Sequence, residues 1–286
     1  MIDFQSLARL ARREVRRKQA RSRFPSIAQT TLPILFANSF PKSGTHLLTQ
    51  ILAGFTRLAP FSVAGLEPVR SFEGESGRLR QPATLARELQ RLKPGDISYG
   101  HVLAYFETLP LLTAEGMAAF FIYRDPRDVV VSHVHYVTEI NPQHVHHRYY
   151  IEELSNFDQR LETSLRGLPE ARNPFPDIRA RFEPYLPWLQ RPAIHSLRFE
   201  DLVEQPDAAM QAILAFVRSR GFDLHISDDE AQKALMTGID PQQSPTFRSG
   251  KSGAWRVAFQ PQHKELFKSL AGDLLIQLGY ETDHNW

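Results

Sequence analysis

Pro33-Ile34-Leu35-Phe36-Ala37-Asn38-Ser39-Phe40-Pro41-Lys42-Ser43-Gly44-Thr45-His46-Leu47-Leu48 is the stretch on which the fold turns. Its apolar run, residues 33–37, ends in Asn38-Ser39-Phe40-Pro41, the pattern of a buried strand that enters a loop. Behind the loop, Leu47, Leu48, Ile51, Leu52 and Phe55 recur on one face of a helix. A loop at a helix start offers unpaired backbone N–H groups and the positive end of the helix dipole, which suits a phosphate. Gly44 lets the backbone come close, Lys42 supplies a point charge, and Ser43 and Thr45 add hydroxyl donors. The same residues would also make a tight turn with a helix cap. They do not make the nucleoside-triphosphatase loop, Gly-x-x-x-x-Gly-Lys-Ser/Thr, because here the lysine precedes the only glycine.

Three further strand candidates lie outward from this unit, at residues 97–102, 118–123 and 194–199. Each is followed by helical sequence, around Glu107, Val129 and Asp207. That alternation predicts an α/β fold with a central parallel β-sheet flanked by helices. Helices are also expected over 151–165, 177–189, 228–236 and 262–278, whereas 65–94 reads as loops with one short helix near 85–92. No repeat, low-complexity tract or linker divides the 286 residues, so one domain over 31–286 follows a basic N-terminal arm over 1–30.

Composition is that of a globular protein, with 42% hydrophobic and 23% charged residues. No run approaches the roughly 20 apolar residues that span a bilayer, and the basic start lacks the pattern of a secretory signal; a cytoplasmic protein is expected. The absence of cysteine excludes disulfides, thiolate metal sites and cysteine nucleophiles. Between Met1 and Arg23, eight basic residues face only Asp3 and Glu14, while the whole chain carries +2, so the remainder is net acidic. No nucleic-acid partner is expected. Ile2, Phe4, Leu7, Leu10 and Ala11 fall near helical spacing, which fits either a helix that touches a membrane surface or acidic partner, or a solvated terminal helix.

A second strand–turn–helix unit runs Phe120-Phe121-Ile122-Tyr123-Arg124-Asp125-Pro126-Arg127-Asp128-Val129-Val130-Val131-Ser132. Asp125 can cap the helix and Pro126 can open it. Capping leaves unexplained Arg124 at the strand end and Ser132 about two turns along, where both can face one crevice. Ligands of parallel sheets bind beyond the carboxyl ends of the strands, where Arg124 would stand. Further on, Phe247-Arg248-Ser249-Gly250-Lys251-Ser252-Gly253-Ala254-Trp255 is a Gly-rich basic loop that alone reads as a surface turn.

Taken in order, these segments resemble the PAPS-dependent sulfotransferases, proteins with a P-loop-like α/β fold. Ser39 to Thr45 is similar to that family's 5′-phosphosulfate loop, the Arg124/Ser132 stretch to its 3′-phosphate motif, and residues 248–255 to its Arg-x-Gly-x-x-Gly-x-Trp loop. The resemblance implies that Lys42, Ser43, Gly44, Thr45 and His46 hold the 5′ end of the nucleotide. It likewise implies that Arg124, Ser132, Arg248, Ser249 and Gly250 hold the 3′-phosphate, with Trp255 as the loop's anchor and Phe199 near the adenine.

The implied reaction moves a sulfuryl group from 3′-phosphoadenosine-5′-phosphosulfate (PAPS) to an acceptor hydroxyl or amine and leaves 3′,5′-adenosine bisphosphate. Like phosphoryl transfer, it needs positioning, a base and a cation at the leaving group, and no metal. His101, at a strand end between the first two motifs, matches the family's catalytic histidine, and Lys42 is the candidate cation. The match is incomplete: His46-Leu47 stands where many members have Thr-Trp, and Tyr99 where some have lysine. A nucleotide kinase and a non-catalytic nucleotide-binding module are the rival readings.

Five of the eleven histidines, His133, His135, His144, His146 and His147, crowd one short stretch. Their spacing matches no helix-based zinc motif, so no metal is assigned to them; a wall of the acceptor pocket is expected. With Tyr149 and Tyr150 they would suit an aromatic, anionic or sugar acceptor, that is, a small-molecule or carbohydrate partner.

Overall fold

The computed structural model describes residues 4–73, 77–244 and 250–286. Its strands are β1 (Ile34–Ser39), β2 (Ser62–Val63), β3 (Val69–Arg70), β4 (Asp96–His101), β5 (Met117–Tyr123) and β6 (Ile194–Arg198). They form one parallel sheet in the order β2-β4-β1-β5-β6, with β3 also paired to β4. The four long strands are those expected from the apolar runs. β2 and β3 have two residues each, too few for any periodicity, and β3 lies in a stretch that reads as loop; both form because β4 offers them an edge.

Burial on both faces explains why the central strands read as continuous apolar runs. One face of β1 and β5 sends Leu35, Ala37, Phe120 and Ile122 toward the helices Thr45–Ala53 and Pro206–Ser219, joined by Leu48, Ile51, Ile213 and Leu214. The other sends Phe36, Ala119 and Phe121 into a second core with Val130, Val134, Trp188 and Phe267.

Helices appear where apolar periodicity placed them, with breaks at identifiable residues. The expected 177–189 helix gives way after Ile178–Phe182 to 3₁₀ turns over Glu183–Gln190, because Pro184 and Pro187 lack the N–H an α-helix needs. The 262–278 helix splits into Pro261–Ala271 and Leu274–Gln277 around Gly272, whose φ of 46° only glycine adopts cheaply. The 151–165 segment divides into His147–Glu152 and Phe157–Arg166, the latter capped by the Asn156 side chain.

The basic segment is one helix, Phe4–Arg23, and it is not the solvated helix that counting charges suggests. Arg13 and Arg17 are 2% and 5% exposed and both ion-pair with Asp96, which is fully buried at the start of β4. Arg17 also donates to the Pro94 carbonyl at 2.9 Å and Arg16 to the Ala64 carbonyl at 3.1 Å. A buried carboxylate needs counter-charge, and the two guanidiniums, one helical turn apart, supply it. Among the described residues, no helix is long and apolar enough to cross a membrane.

Candidate active site

The adjacency of β4, β1, β5 and β6 brings four chemically distinct ends into a row at the carboxyl edge of the sheet. His101 ends β4, the loop 40–44 leaves β1, Arg124 follows β5, and Phe199 follows β6. This is the position at which parallel sheets bind ligands.

The loop after β1 is built around two left-handed residues, Lys42 with φ 69° and Gly44 with φ 94°. Gly44 cannot be replaced without cost: a Cβ there would lie 2.6 Å from the Phe199 ring. Gly44 is the N-cap of the helix Thr45–Ala53, and no side chain caps that end, so the first-turn N–H groups are not satisfied by a side chain. Ser43 is fully buried, and its Oγ has no hydrogen-bond partner among the described residues. Such a buried hydroxyl next to a helix start suits a ligand oxygen. The Lys42 ammonium lies 3.8 Å from the centroid of the Tyr136 ring.

Ser39 ties the loop to His101. Its Oγ lies 2.7 Å from Thr45 Oγ1 and 3.0 Å from His101 Nδ1, and His101 Nδ1 is also 3.0 Å from the Ser39 carbonyl oxygen. With Nδ1–H donated to that carbonyl, Nε2 carries the imidazole's lone pair. Burial pushes the His101 pKa down to about 4, against the upward pull of the Ser39 carbonyl; Arg70, His46 and Lys42 add to the downward shift. The ring is therefore neutral at pH 7. His46 sits at the helix start with its ring 6.1 Å from that of Tyr99, and it too is shifted down, by burial first and then by Lys42 and Arg70.

Arg124 is 8% exposed, with its guanidinium carbon 4.5 Å from the Phe199 centroid. Its Nη2 donates to the Lys251 carbonyl at 2.8 Å, while its Nε is buried without a partner among the described residues. Phe199, 6% exposed, thus touches both the Gly44 approach and Arg124 and belongs to the core beneath them. Ser132 is half-buried on the helix Pro126–His135, which Asp125 caps through its carboxylate and Pro126 opens. Gly250 is exposed with φ 62°, and Arg248 and Ser249 lie outside the described residues.

The structure also supplies residues that the motifs did not single out. The Asp128 carboxylate accepts from the Gly253 and Trp255 N–H groups at 2.7 and 2.9 Å and lies 3.3 Å from Arg124 Nη2, so it fastens the Gly-rich loop to Arg124. Arg127 holds Trp255 from beneath, 3.7 Å from the ring centroid, and is itself fixed by Asp125 and Glu281. Both were visible only as a second Arg-Asp pair in the motif. Arg70 had no signal, and Ser39 stood in the first motif without a role of its own, since what each does depends on strand pairing.

The histidines have separate employments. His133 is stacked on Phe175 with Nδ1 2.7 Å from Ser164 Oγ, His146 Nε2 lies 2.9 Å from the Asn173 carbonyl, and His147 Nδ1 2.6 Å from the Val137 carbonyl. His135 pairs with Glu139. His144 packs edge-on against Tyr136, the ring beneath Lys42, and also lies against the rings of His133 and His146. Among the described residues, no three His, Asp or Glu side chains converge as a metal site.

A sulfotransferase domain model matches residues 119–279 of the chain. Among solved structures, a crystal structure of retinol dehydratase with androsterone and the inactive cofactor PAP is 15% identical, with a TM-score of 0.56 over 91% of this chain and 85% of that one. Mouse sulfotransferase SULT7A1 complexed with PAP is 17% identical, again with a TM-score of 0.56, over 91% of both chains. Retinol dehydratase with retinol and PAP is 16% identical, with a TM-score of 0.54 over 91% of this chain and 86% of that one. At these identities the likeness is one of fold.

Proposed function

The chain belongs to the sulfotransferase family, and we propose that its domain over residues 31–286 transfers a sulfuryl group from PAPS to a hydroxyl or amine of a small-molecule or carbohydrate acceptor. The observation that carries this reading is the row formed by His101, the Lys42 loop, Arg124 and Phe199 at neighbouring strand ends. Two buried polar atoms along that row, Ser43 Oγ and Arg124 Nε, lack partners among the described residues, which fits a ligand phosphorylated at both ends. The solved relatives hold PAP, with retinol or androsterone alongside it in the retinol dehydratase structures, which supports a PAPS donor and a small-molecule acceptor.

PAPS supplies a sulfuryl group joined to a phosphate leaving group. In the proposed mechanism, His101 Nε2 takes the acceptor's proton as the acceptor atom bonds to sulfur and the sulfur–oxygen bond to the 5′-phosphate breaks. Lys42 and the first-turn N–H groups of the helix Thr45–Ala53 meet the charge left on that phosphate, with Ser43, Thr45 and His46 lining the same end. Arg124, Ser132 and Gly250 hold the 3′-phosphate, joined by Arg248 and Ser249 on the strength of the motif alone.

Calorimetry separates this reading from its rivals. The protein is expected to bind 3′,5′-adenosine bisphosphate about tenfold or more tightly than ATP, a difference of about 1.4 kcal/mol; comparable ATP affinity sinks the assignment in favour of a nucleotide kinase. Intact bisphosphate binding without PAPS consumption across alcohols, phenols, amines and sugars would identify a non-catalytic nucleotide-binding module.

A further inference from the structure

Arg70 is the one residue of β3 that leaves the sheet on the side of His101. The ladder pairs Val69 with Gly100 and Arg70 with His101, and register partners in a parallel ladder share a face. Val69 therefore turns into the core, 2% exposed, while Arg70 turns toward the site. Gly100 permits this register, because a Cβ there would lie 2.2 Å from the Val69 carbonyl oxygen. The backbone around Arg70 is braced on both sides. Its carbonyl accepts from Arg80 at 3.0 Å, Arg80 is held in turn by Glu88, and the next residue, Ser71, donates to the His101 carbonyl at 3.0 Å. The Arg70 guanidinium itself enters none of the ion pairs or hydrogen bonds found among the described residues, and the residue is exposed.

A cation in that place works against His101, since its field disfavours a proton on the imidazole, and it acts on His46 in the same sense. Negative charge arriving beside Arg70 removes that penalty at the moment His101 must take a proton. Building on the sulfotransferase reading, we propose that Arg70 recognises an oxyanion carried by the acceptor close to its reacting hydroxyl or amine, so that the enzyme selects anionic acceptors over neutral ones. A planar guanidinium suits a carboxylate, phosphate or sulfate equally, through paired N–H donors.

The test compares benzyl alcohol with 4-(hydroxymethyl)benzoate as acceptors, alongside binding of 3′,5′-adenosine bisphosphate, in the wild type, Arg70→Gln and Arg70→Lys. The wild type is expected to favour the carboxylate by about tenfold or more in kcat/KM, the range of a hydrogen bond to a charged group. Arg70→Gln should bring the ratio close to 1 and Arg70→Lys should restore part of it, with bisphosphate affinity the same in all three. An unchanged ratio in Arg70→Gln overturns the proposal. So does weakened bisphosphate binding in Arg70→Gln, which would assign Arg70 to the donor. If the wild type turns over neither alcohol, both are titrated into bisphosphate-loaded protein: tighter, Arg70-dependent binding of the carboxylate supports the proposal, and equal or absent binding overturns it. Failure of the wild type to bind the bisphosphate at all would bring down the sulfotransferase reading and this one with it, a result distinct from losing acceptor selectivity alone.

Discussion

The two ends of β4 carry basic clusters in opposite electrostatic settings. At its start, Asp96 is buried among Arg13 and Arg17 of the N-terminal helix, and charge is matched to charge in a dry interface. At its end, the groups whose charge acts on His101 are Arg70, His46 and Lys42, all basic. A buried carboxylate with two guanidiniums holds structure together, because removing one partner strands the others away from water. A neutral imidazole whose electrostatic neighbours are basic suits an anion that comes from outside, in line with the proposals above. Basic residues in one sequence can thus be fasteners or binding groups, and the counter-charge opposite them decides which.

Breaking the functional end should give the largest effect. His101→Ala is expected to lower turnover by about 10²–10⁴, the usual contribution of a general base, while 3′,5′-adenosine bisphosphate still binds; retained turnover in a PAPS assay would remove His101 from that role. Breaking the structural end should cost about 3–5 kcal/mol of unfolding free energy, since Asp96→Asn leaves Arg13 and Arg17 buried without a carboxylate. Urea unfolding measures this, and a loss below about 1 kcal/mol would mean that the helix is held by its other contacts.

A smaller effect sharpens the contrast within the loop. Gly44→Ala forces a side chain onto a residue at φ 94° and into the Phe199 ring, which should cost about 1–3 kcal/mol in stability and weaken bisphosphate binding as the loop shifts. Wild-type melting temperature and affinity in this variant would show that the loop yields freely. The last effect is a slope. Folded His101 has its pKa near 4 against an ordinary value of 6.5, so the unfolded chain binds more protons between those values. The stability from the neutral ring is complete above pH 6.5 and is lost as pH falls toward 4. His133, His144 and His146 are shifted the same way by burial and add to the trend. Melting temperatures between pH 7 and 4.5 should therefore fall less steeply in His101→Gln than in the wild type, and parallel slopes would refute this account of the ring.

Much of the fold was legible because its signals are local. The apolar runs of β1, β4, β5 and β6 announce strands by themselves, as do the Asp125-Pro126 cap and the helical face from Leu47 to Phe55. Helix interruptions at Pro184, Pro187 and Gly272 were present in the residues but were overridden by apolar periodicity. In the site, Arg124 could be picked out at a strand end, the edge where parallel sheets bind ligands, Lys42 in a glycine loop ahead of a helix, and His101 at a strand end that the family resemblance marked. Arg70 could not: β3 has two residues and exists only through its pairing with β4. Asp128 could be seen as an acid in a motif but not as the acceptor of N–H groups 125 and 127 positions away.

By itself, then, the sequence determined the alternation of strands and helices, the strand–loop–helix unit that carries Lys42 and Gly44, and the family whose motifs it carries. These follow from periodicity, capping and short-range spacing, which neighbours in the chain settle among themselves. Tertiary structure alone decided that the basic helix is pinned to Asp96, that Ser39 links Thr45 to His101, and that Arg70 stands beside that histidine. Each depends on residues far apart in the chain meeting across a sheet, where burial and the available counter-charge, and not the residue type, set what a side chain does.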